Sequence, residues 1–462
     1  MAFSNIDSLA NGSLLQIIFS NGVRNQISTD FRDFEMIKRA KVGSSLAREL
    51  RFDFQSSLGV AGIQYRNPGT TNRSYPLSQQ VATAEYTAKF KEINATLELE
   101  QNLWYRAMKS PEKYGNPLEI EMDSKASGCK RRLAADLYGD GTGVMGTLGS
   151  SSASVTSPAS NRLVFQLATT DSARGHVGFF EYQDILVLKA AAGGASAIDT
   201  SLATEPAYWK VIDKDFDNQR VTLQGLDSSF APVASITSIT TQPTSGEVFY
   251  RFGQPTFPDL TASISDYGTV TEVIAGLESL ASADGRVIHG ITMSGANGAS
   301  QIDCAANPID VKYIQKALDK TKRNVGQDRY KWKMMNMAPE THASLIESRE
   351  TDRRFQTVED NKRGVKFFAY VHGNDTVECN GSEYCPPKRI YMLPESKASE
   401  KVLEFHGSDF DPVRTPGGDA WHLKPGADGG HVNMMISYLQ SVGVIVCKHP
   451  ASIAVVKNFT NS

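Results

Sequence analysis

The chain has 462 residues, of which 40% are hydrophobic, and a formal net charge of −3. This length exceeds what one hydrophobic core usually serves, so two or three subdomains are expected. The charge gives no sign of a dedicated nucleic-acid binder, and the sequence contains neither a signal peptide nor an apolar run long enough to span a membrane.

Residues 1–57 are predicted to form an N-terminal arm. Within it, the stretch from Asp30 to Arg39 has the apolar spacing of a short helix. Lys38, Arg39 and Lys41 form a small basic cluster. Such a cluster is most simply a solvated face, and contact with DNA or with an acidic neighbour is the alternative.

Residues 58–100 are predicted to form an extended loop, which is a long β-hairpin. Its outgoing half, Leu58 to Gln80, contains the glycines, prolines and threonines that are typical of a polar tip. Apolar residues then alternate from Ala84 to Glu100 and change parity once at Lys91–Glu92, as at a β-bulge. A strand of ~17 residues is long for a domain interior. We therefore expect this strand to project outward as an arm.

Residues 101–161 are predicted to contain a long helix and the start of a peripheral domain. Asn116 can act as the N-cap, Pro117 suits the first helical position, and Glu119 completes a capping box. Gly139 provides the stop signal. One apolar stripe runs along this helix: Leu118, Met122, Ala126, Cys129, Leu133 and Leu137. The prediction is a helix of roughly 22 residues, about 33 Å long.

A serine- and alanine-rich linker, Gly149 to Asn161, precedes a region of short strands at residues 162–258. The predicted strands are Arg162–Phe165, Phe180–Leu188, Tyr208–Ile212, Arg220–Leu223, Ala234–Thr241 and Val248–Phe252. Turn residues separate them, which favours a small antiparallel sheet or barrel. We interpret this region as a β-rich insertion.

Residues 259–462 mix helices and strands, so the fold class of the whole chain is predicted to be α+β. The predicted helices are Thr269–Ala281, Asn307–Arg323 and Pro339–Arg349. The predicted strands are Lys331–Met337, Lys366–Val371, Arg389–Leu393, Val402–Phe405 and Val432–Val446.

Motifs for chemistry are few. Gly141, Gly143 and Gly146 match G-x-G-x-x-G, but they follow a helix, whereas a dinucleotide fingerprint follows a strand and opens a helix. We expect these glycines to let the chain turn sharply after the long helix. Cys379 and Cys385 flank a turn and leave a disulfide or a shared metal open as alternatives to reduced thiols.

The histidines do not fall at metal-ligand spacing. The nearest approaches are His406 with two following aspartates, Asp409 and Asp411, and His422 with Asp419. Both lie beside glycine-rich turns, where aspartate commonly caps the backbone. No catalytic, cofactor-binding or metal-binding residue is predicted, and no cofactor is expected.

Two segments carry a family resemblance. The stretch from Thr96 to Val144, with its capped helix and Gly-Asp-Gly-Thr-Gly turn, resembles the major capsid proteins of tailed bacteriophages. The stretch from Tyr438 to Val456 looks like the closing strand of the same Hong Kong 97-like capsid fold. The resemblance implies an N-terminal arm, an extended loop, a spine helix, and peripheral and axial subdomains, with residues 259–462 supplying the axial domain and the remaining peripheral strands.

The resemblance also implies a function without catalysis, in which copies assemble as hexamers and pentamers of an icosahedral head around double-stranded DNA, without sequence-specific binding. The expected partners are further copies, a portal, a separate scaffolding protein and a decoration protein, with assembly in the host cytoplasm and localisation in the virion. No membrane is involved. The predicted subunit contacts are Tyr86, Lys89, Phe90, Lys91, Trp104 and Tyr105. The alternatives are an encapsulin-type nanocompartment shell protein and an unrecognised soluble enzyme.

Overall fold

A computed structural model gives the structure of the chain. The described residues are 33, 37–41, 49–55, 83–102, 105, 117–149, 161–169, 174–190, 206–233, 245–253, 264–267, 271, 273–295, 298–325, 330–347, 356–360, 365–372, 375–396, 401–407, 411–412, 422–425 and 431–461.

The strands, in chain order, are β1 Ile37–Lys41, β2 Glu49–Gln55, β3 Thr83–Lys89, β4 Lys91–Glu100, β5 Val144–Thr147, β6 Arg162–Gln166, β7 Ile185–Lys189, β8 Tyr208–Asp215, β9 Arg220–Leu226, β10 Val248–Arg251, β11 Val287–Ile288, β12 Ile291–Thr292, β13 Ser300–Asp303, β14 Tyr330–Met337, β15 Gln356–Asp360, β16 Val365–His372, β17 Asp375–Gly381, β18 Arg389–Ser396, β19 Leu403–Gly407, β20 Asp411–Pro412, β21 His422–Pro425, β22 His431–Cys447 and β23 Ala454–Lys457. The helices are α1 Pro117–Tyr138, α2 Leu277–Leu280, α3 Val311–Val325 and α4 Pro339–Glu347. These mixed sheets and helices confirm the α+β class.

The long helix predicted after Asn116 is confirmed, because α1 has 22 residues and ends at Tyr138. Cys129, Leu133 and Leu137 of the predicted stripe are buried. The N-cap prediction for Asn116 lies outside the described residues. Gly139 does not take the left-handed conformation; the chain turns instead at Gly141 and Gly143, with φ of 83° and 78°.

Six antiparallel strands form a β-barrel in the order β5-β10-β7-β8-β9-β6. A bridge between Leu148 and Leu167 joins the two outer strands. Backbone hydrogen bonds reinforce it, from Gly149 N to Gln166 O at 3.0 Å and from Ala168 N to Thr147 O at 2.8 Å. The predicted antiparallel sheet or barrel is therefore a closed barrel, and it takes β5 from outside the predicted range 162–258.

A six-stranded sheet is built around β22, which has 17 residues. It runs β1-β19-β22-β20, and β4 and β21 also pair with β22. The β1–β19 pairing is parallel, whereas the strands that meet β22 are antiparallel to it. Alternation along β4 places Leu97 and Leu99 inside. The helix α1 packs alongside β4.

A seven-stranded mixed sheet has the order β13-β23-β18-β14-β17-β16-β15. The helix α3 packs on β13 and β23, and α4 packs near β17. Ile314 and Leu318 of α3 share a buried core with Met335 and Ile390 of the sheet. No helix in the described part of the chain is long and apolar enough to cross a membrane.

Three local predictions are wrong. Ile37–Lys41 is a strand rather than the end of a helix, because it pairs with β19. The helix predicted over Thr269–Ala281 is reduced to α2 in its described part. The helix predicted from Asn307 begins four residues later at Val311, because Asp310 Oδ1 accepts a hydrogen bond from Lys312 N at 3.2 Å and caps it.

The single strand predicted from Ala84 to Glu100 is two strands. Phe90 separates β3, which pairs with β2, from β4, which pairs with β22. The alternation of apolar residues was identified correctly, since Tyr86, Ala88, Leu97 and Leu99 are buried. The expectation of a projecting arm is wrong for β4, because this strand forms backbone hydrogen bonds with β22 of its own chain.

Candidate assembly surface

The β2–β3 hairpin has one charged face and one buried face. Glu49 pairs across the hairpin with Lys89, and Arg51 lies diagonally from Glu85. The Arg51 guanidinium forms an ion pair with the Glu49 carboxylate and a second one, at 3.3 Å, with the Glu85 carboxylate. Exposed ion pairs contribute little to stability. A binding partner could therefore replace them at small cost, and this face of the hairpin is accessible.

The opposite face of the hairpin is fixed to the rest of the chain through Tyr86. This side chain is fully buried, and its ring centroid lies 4.8 Å from that of His289. Thr87 N donates to His289 O at 3.0 Å. Tyr86 was predicted to contact another subunit; in the single chain its side chain is enclosed by the chain's own residues.

The other predicted contact residues lie in different environments. Lys89 is exposed. Phe90 is partly buried and packs against the main hydrophobic core, while Lys91 Nζ donates to the carbonyl oxygen of Thr271. Tyr105 is 49% exposed, and Trp104 lies outside the described residues. Of the predicted contact residues that the structure describes, Lys89 and Tyr105 are therefore the exposed ones.

A second exposed surface lies on the outer face of the β4–β22 pair. Glu92, Asn94 and Thr96 are exposed on β4. Tyr438 lies opposite Thr96 on β22 and is 39% exposed. An aromatic side chain surrounded by polar groups is a common composition for a protein contact.

The C-terminal half of α1 is joined to the barrel by charged groups. Arg131 donates to both carboxylate oxygens of Glu181, at 3.0 and 2.8 Å. Tyr384 Oη donates to the same carboxylate at 2.9 Å, and Glu383 lies 3.4 Å from the guanidinium. A partly buried bidentate arginine pair fixes orientation as well as distance, so this cluster sets how the barrel meets the helix.

His176 adds a buried contact at the same junction. Its Nδ1 accepts a hydrogen bond from Gly178 N at 3.1 Å, which leaves Nε2 to donate to Tyr384 O at 2.9 Å. Burial lowers the pKa of His176 to about 4, although the bond to Tyr384 acts in the opposite direction. The neutral imidazole is therefore part of the junction between the barrel and the turn after β17.

The end of α1 meets α2 by close backbone packing. Gly276 N donates to Gly139 O at 3.0 Å. A Cβ at Gly276 would overlap the carbonyl oxygens of Asp136 and Leu137, so this approach requires glycine. The G-x-G-x-x-G stretch begins here after α1 and ends within β5. Gly141 and Gly143 turn the chain off the helix, as expected, and the stretch leads into a strand rather than a helix.

The cysteines and histidines that the sequence offered for disulfide or metal chemistry make packing or hydrogen-bonding contacts where the structure describes them. All five cysteines, including Cys379 and Cys385, are buried and form no disulfide, so the disulfide alternative is wrong. Within the described ranges, no group of three or more His, Cys, Asp or Glu side chains could hold a metal ion. His406 Nε2 lies 3.0 Å from Glu404 Oε2, while Asp409 and Asp419 lie outside the described residues.

Sequence reasoning missed the partly buried or buried charged groups Arg131, Glu181 and Glu404, which appear in the sequence as ordinary members of polar stretches. Glu181 lies 50 residues from Arg131, and Lys448, which donates to Glu404, lies 44 residues from it. No local spacing could have revealed them.

No family model matches the chain, and no curated protein matches it. Among solved structures, the cyanophage A-1(L) capsid asymmetric unit is similar over 96% of this chain and 99% of its own, at 9% identity and a TM-score of 0.45. The capsid of an empty GTA particle is similar over 95% of this chain and 94% of its own, at 8% identity and a TM-score of 0.44. Both similar structures are capsids. A structure described as Mycobacterium phage Bobi covers 95% of this chain and 96% of its own, at 7% identity and a TM-score of 0.40.

Proposed function

We propose that this chain is the major capsid protein of a tailed-phage-type head. Its copies assemble as hexamers and pentamers of an icosahedral shell that encloses double-stranded DNA, and the protein performs no catalysis. Assembly takes place in the host cytoplasm with a portal, a separate scaffolding protein and a decoration protein as partners. The product is the shell of the virion.

One observation carries the proposal. The two segments with capsid-like sequence, Thr96–Val144 and Tyr438–Val456, lie at opposite ends of the chain. In the structure β4 pairs with β22 over ten residues, from Lys91 opposite Gly443 to Glu100 opposite Met434. Tyr438, the first residue of one segment, lies opposite Thr96, the first residue of the other.

The order of elements supports the same proposal. A hairpin, β2–β3, precedes the strand β4, and an unbroken helix of 22 residues follows. The fold implied by the sequence resemblance has an extended loop, then a spine helix, then a closing strand. The barrel is the insertion in that order, and its junction with α1 through Arg131 holds it against the helix.

The exposed surfaces supply the contacts that self-assembly needs. Lys89 on the hairpin, Tyr105, and Tyr438 on the outer face of the six-stranded sheet are accessible in the single chain. Aromatic side chains of this kind are enriched at protein interfaces. The proposed subunit contacts are Tyr86, Lys89, Phe90, Lys91, Trp104 and Tyr105.

The test is the assembly state of the expressed full chain. Sedimentation velocity and electron microscopy should detect capsomers or closed shells, and a reconstruction should place Lys89 and Tyr105 against neighbouring copies. A monomer or a small oligomer, with or without the proposed scaffold and portal, would refute the capsid function. Particles that contain a folded enzyme instead of DNA would support an encapsulin-type shell.

A further inference from the structure

The helix α3 carries a row of positively charged side chains along its outer side. Lys312, Lys316, Lys320 and Arg323 are all exposed. They follow one another at steps of four and three residues, which places them on one side of the helix. At a rise of 1.5 Å per residue the row is about 16 Å long. These four residues are called the basic row below.

The fold fixes the direction in which the basic row points. Ile314, Ala317, Leu318 and Thr321, on the opposite side of α3, are buried. The helix packs on β13 and β23 of the seven-stranded sheet. A rotation of the helix about its axis would expose this apolar side to water. The basic row is therefore held on the outer side of the helix.

Contacts within the chain use little of the charge of the basic row. Lys312 forms an ion pair with Asp310, with Nζ and the carboxylate oxygen 3.4 Å apart. The other three members form no ion pair with a carboxylate among the described residues. Lys320 Nζ donates a hydrogen bond to the carbonyl oxygen of Gln301 at 3.2 Å. Most of the positive charge of the row is therefore available to a partner.

The basic row is unfavourable for the helix that carries it. Lys316 lies four residues from both Lys312 and Lys320, a spacing at which like charges repel. The Tyr313 ring offsets part of this repulsion, since the Nζ atoms of Lys312 and Lys316 lie 5.0 and 5.7 Å from its centroid. The helix has five lysines and arginines and one carboxylate, Asp319, in a chain with a net charge of −3. A helix face that meets only water usually mixes both signs, so this concentration of one sign indicates a negatively charged partner.

The composition of the basic row favours phosphates over a protein surface. Lysine and arginine side chains are donors only, and phosphates are contacted chiefly by these two residue types. Protein interfaces are instead depleted in lysine and enriched in aromatic side chains. Duplex DNA carries one negative charge per about 1.7 Å of its axis. A straight row of cations therefore matches a linear polyanion.

We propose that the basic row of α3 binds the phosphate backbone of double-stranded DNA without reading its sequence. Each phosphate that the row neutralises releases condensed counterions, so the affinity falls as the salt concentration rises. In the shell, this surface turns the outer side of α3 towards the enclosed DNA. That location rests on the proposed function, whereas the affinity of the row for DNA does not.

Fluorescence anisotropy of a labelled DNA duplex, titrated with the unassembled full chain at several salt concentrations, tests the proposal. Contacts from the four side chains should give a slope of log Kobs against log salt of about −3 to −4. Two duplexes of unrelated sequence should bind equally well. A slope shallower than about −2, or no binding at low salt, would overturn the proposal.

Two double variants assign the binding to the row. Lys316→Gln/Lys320→Gln should weaken binding at low salt at least tenfold and make the slope shallower by about 2. Lys316→Arg/Lys320→Arg keeps both charges and should bind like wild type. The matched control is Lys331→Gln/Lys333→Gln on β14, where both lysines are exposed. These lysines face away from α3, because Trp332 between them belongs to the core beneath that helix, and the control should leave the slope unchanged.

The contrary results are equally definite. Equal slopes for the glutamine variant and wild type would overturn the assignment to the basic row. A glutamine variant that keeps its DNA binding but no longer self-associates in sedimentation velocity would show that the row binds another copy instead. Shells without DNA binding by the unassembled chain would refute this inference alone, and DNA binding without shells would refute the capsid function alone.

The glutamine variant should also fold normally, because its substitutions are exposed and remove repulsion between like charges. Its Tm in thermal denaturation should be no lower than that of wild type. If this variant does not fold, the slope measured on the wild-type chain still decides the proposal.

Discussion

The barrel and the six-stranded sheet are assembled in opposite ways. The barrel takes its six strands from one continuous stretch, from Val144 to Arg251, and closes on itself. The six-stranded sheet collects β1, β4, β19, β20, β21 and β22 from almost the whole length of the chain. The first can form from local contacts, whereas the second requires the two ends of the chain to meet.

The two regions also differ in what they leave unpaired. Closing a barrel removes exposed strand edges, and the Leu148–Leu167 bridge does this here. The open sheet keeps β1 at an edge and a polar outer face with Tyr438. In a shell built from copies of this chain, we therefore expect the six-stranded sheet to participate in assembly and the barrel to act as a rigid attachment.

The largest expected effect is in the barrel interior. Trp209 is 1% exposed, and its ring packs edge-on against Phe165 with centroids 4.9 Å apart. Trp209→Ala should lower the free energy of unfolding by about 3–5 kcal/mol. Because barrel contacts are local, hydrogen exchange should show the barrel losing protection while the six-stranded sheet keeps it. Loss of protection in both regions together would remove the distinction between them.

The corresponding change in the six-stranded sheet is Leu97→Ala. Leu97 is fully buried on β4 and lies opposite Ser437 of β22. We expect a loss of about 2–5 kcal/mol in the free energy of unfolding, measured by urea denaturation. Here the barrel should remain protected in hydrogen exchange. A barrel that unfolds with β4 would show that it depends on the sheet after all.

Acid should weaken two parts of the molecule, the barrel junction and the contact beneath the β2–β3 hairpin, through one buried histidine each. Burial lowers the pKa of His176, at the barrel junction, and of His289, beneath Tyr86, to about 4 in each case. Because the unfolded chain binds these protons more tightly, the stability contribution is complete above pH ~6.5 and is lost as the pH falls towards 4.

The expected loss is of the order of 3 kcal/mol per histidine at pH 4. Urea denaturation at several pH values between 7.5 and 5 gives the slope, and His176→Gln should remove about half of it. An unchanged slope in that variant would mean that His176 does not couple the junction to pH.

The smallest expected effect concerns a pair of glycines in the six-stranded sheet. Gly407 and Gly443 lie opposite each other on β19 and β22, and a Cβ at Gly443 would overlap the ring of Phe405. Gly443→Ala should cost about 1–3 kcal/mol by overpacking. The control is Gly128→Ala on α1, where a Cβ meets nothing within 4 Å. The higher helix propensity of alanine should raise the free energy of unfolding of this variant by about 0.5–1 kcal/mol.

Thermal denaturation of both glycine variants measures the difference. The double variant Gly443→Ala/Phe405→Leu should recover part of the loss, because it removes the ring that the new methyl group meets. Equal stability of Gly443→Ala and wild type would show that Phe405 moves aside at no cost.

Local patterns were sufficient where an element depends on its own residues. The spine helix α1, the closing strand β22 and most strands of the barrel were predicted, because their apolar spacing is written in consecutive positions. The strand β5 was not predicted, and the strand predicted over Phe180–Leu188 begins only at Ile185. The parity change at Lys91–Glu92 marked an interruption beside Phe90, but the sequence could not show that β3 pairs with β2 while β4 pairs with β22.

The candidate contact residues show the same limit of prediction from local sequence. The sequence identified an alternating segment with accessible lysines, and Lys89 is indeed exposed. It could not show that Tyr86 is enclosed, because the covering residue His289 lies about 200 positions away. The same holds for Asp33, whose four donors come from residues 138 to 382.

The amino-acid sequence by itself determined the mixed class of the fold, the length and end of the spine helix, and the resemblance of two distant segments to phage capsid proteins. Only the tertiary structure decided that those segments pair, that the β-rich region closes into a barrel, and that Asp33 and Tyr86 are buried. The physical reason is that helix caps and alternation act between neighbours in the chain, whereas strand pairing and burial act between neighbours in space.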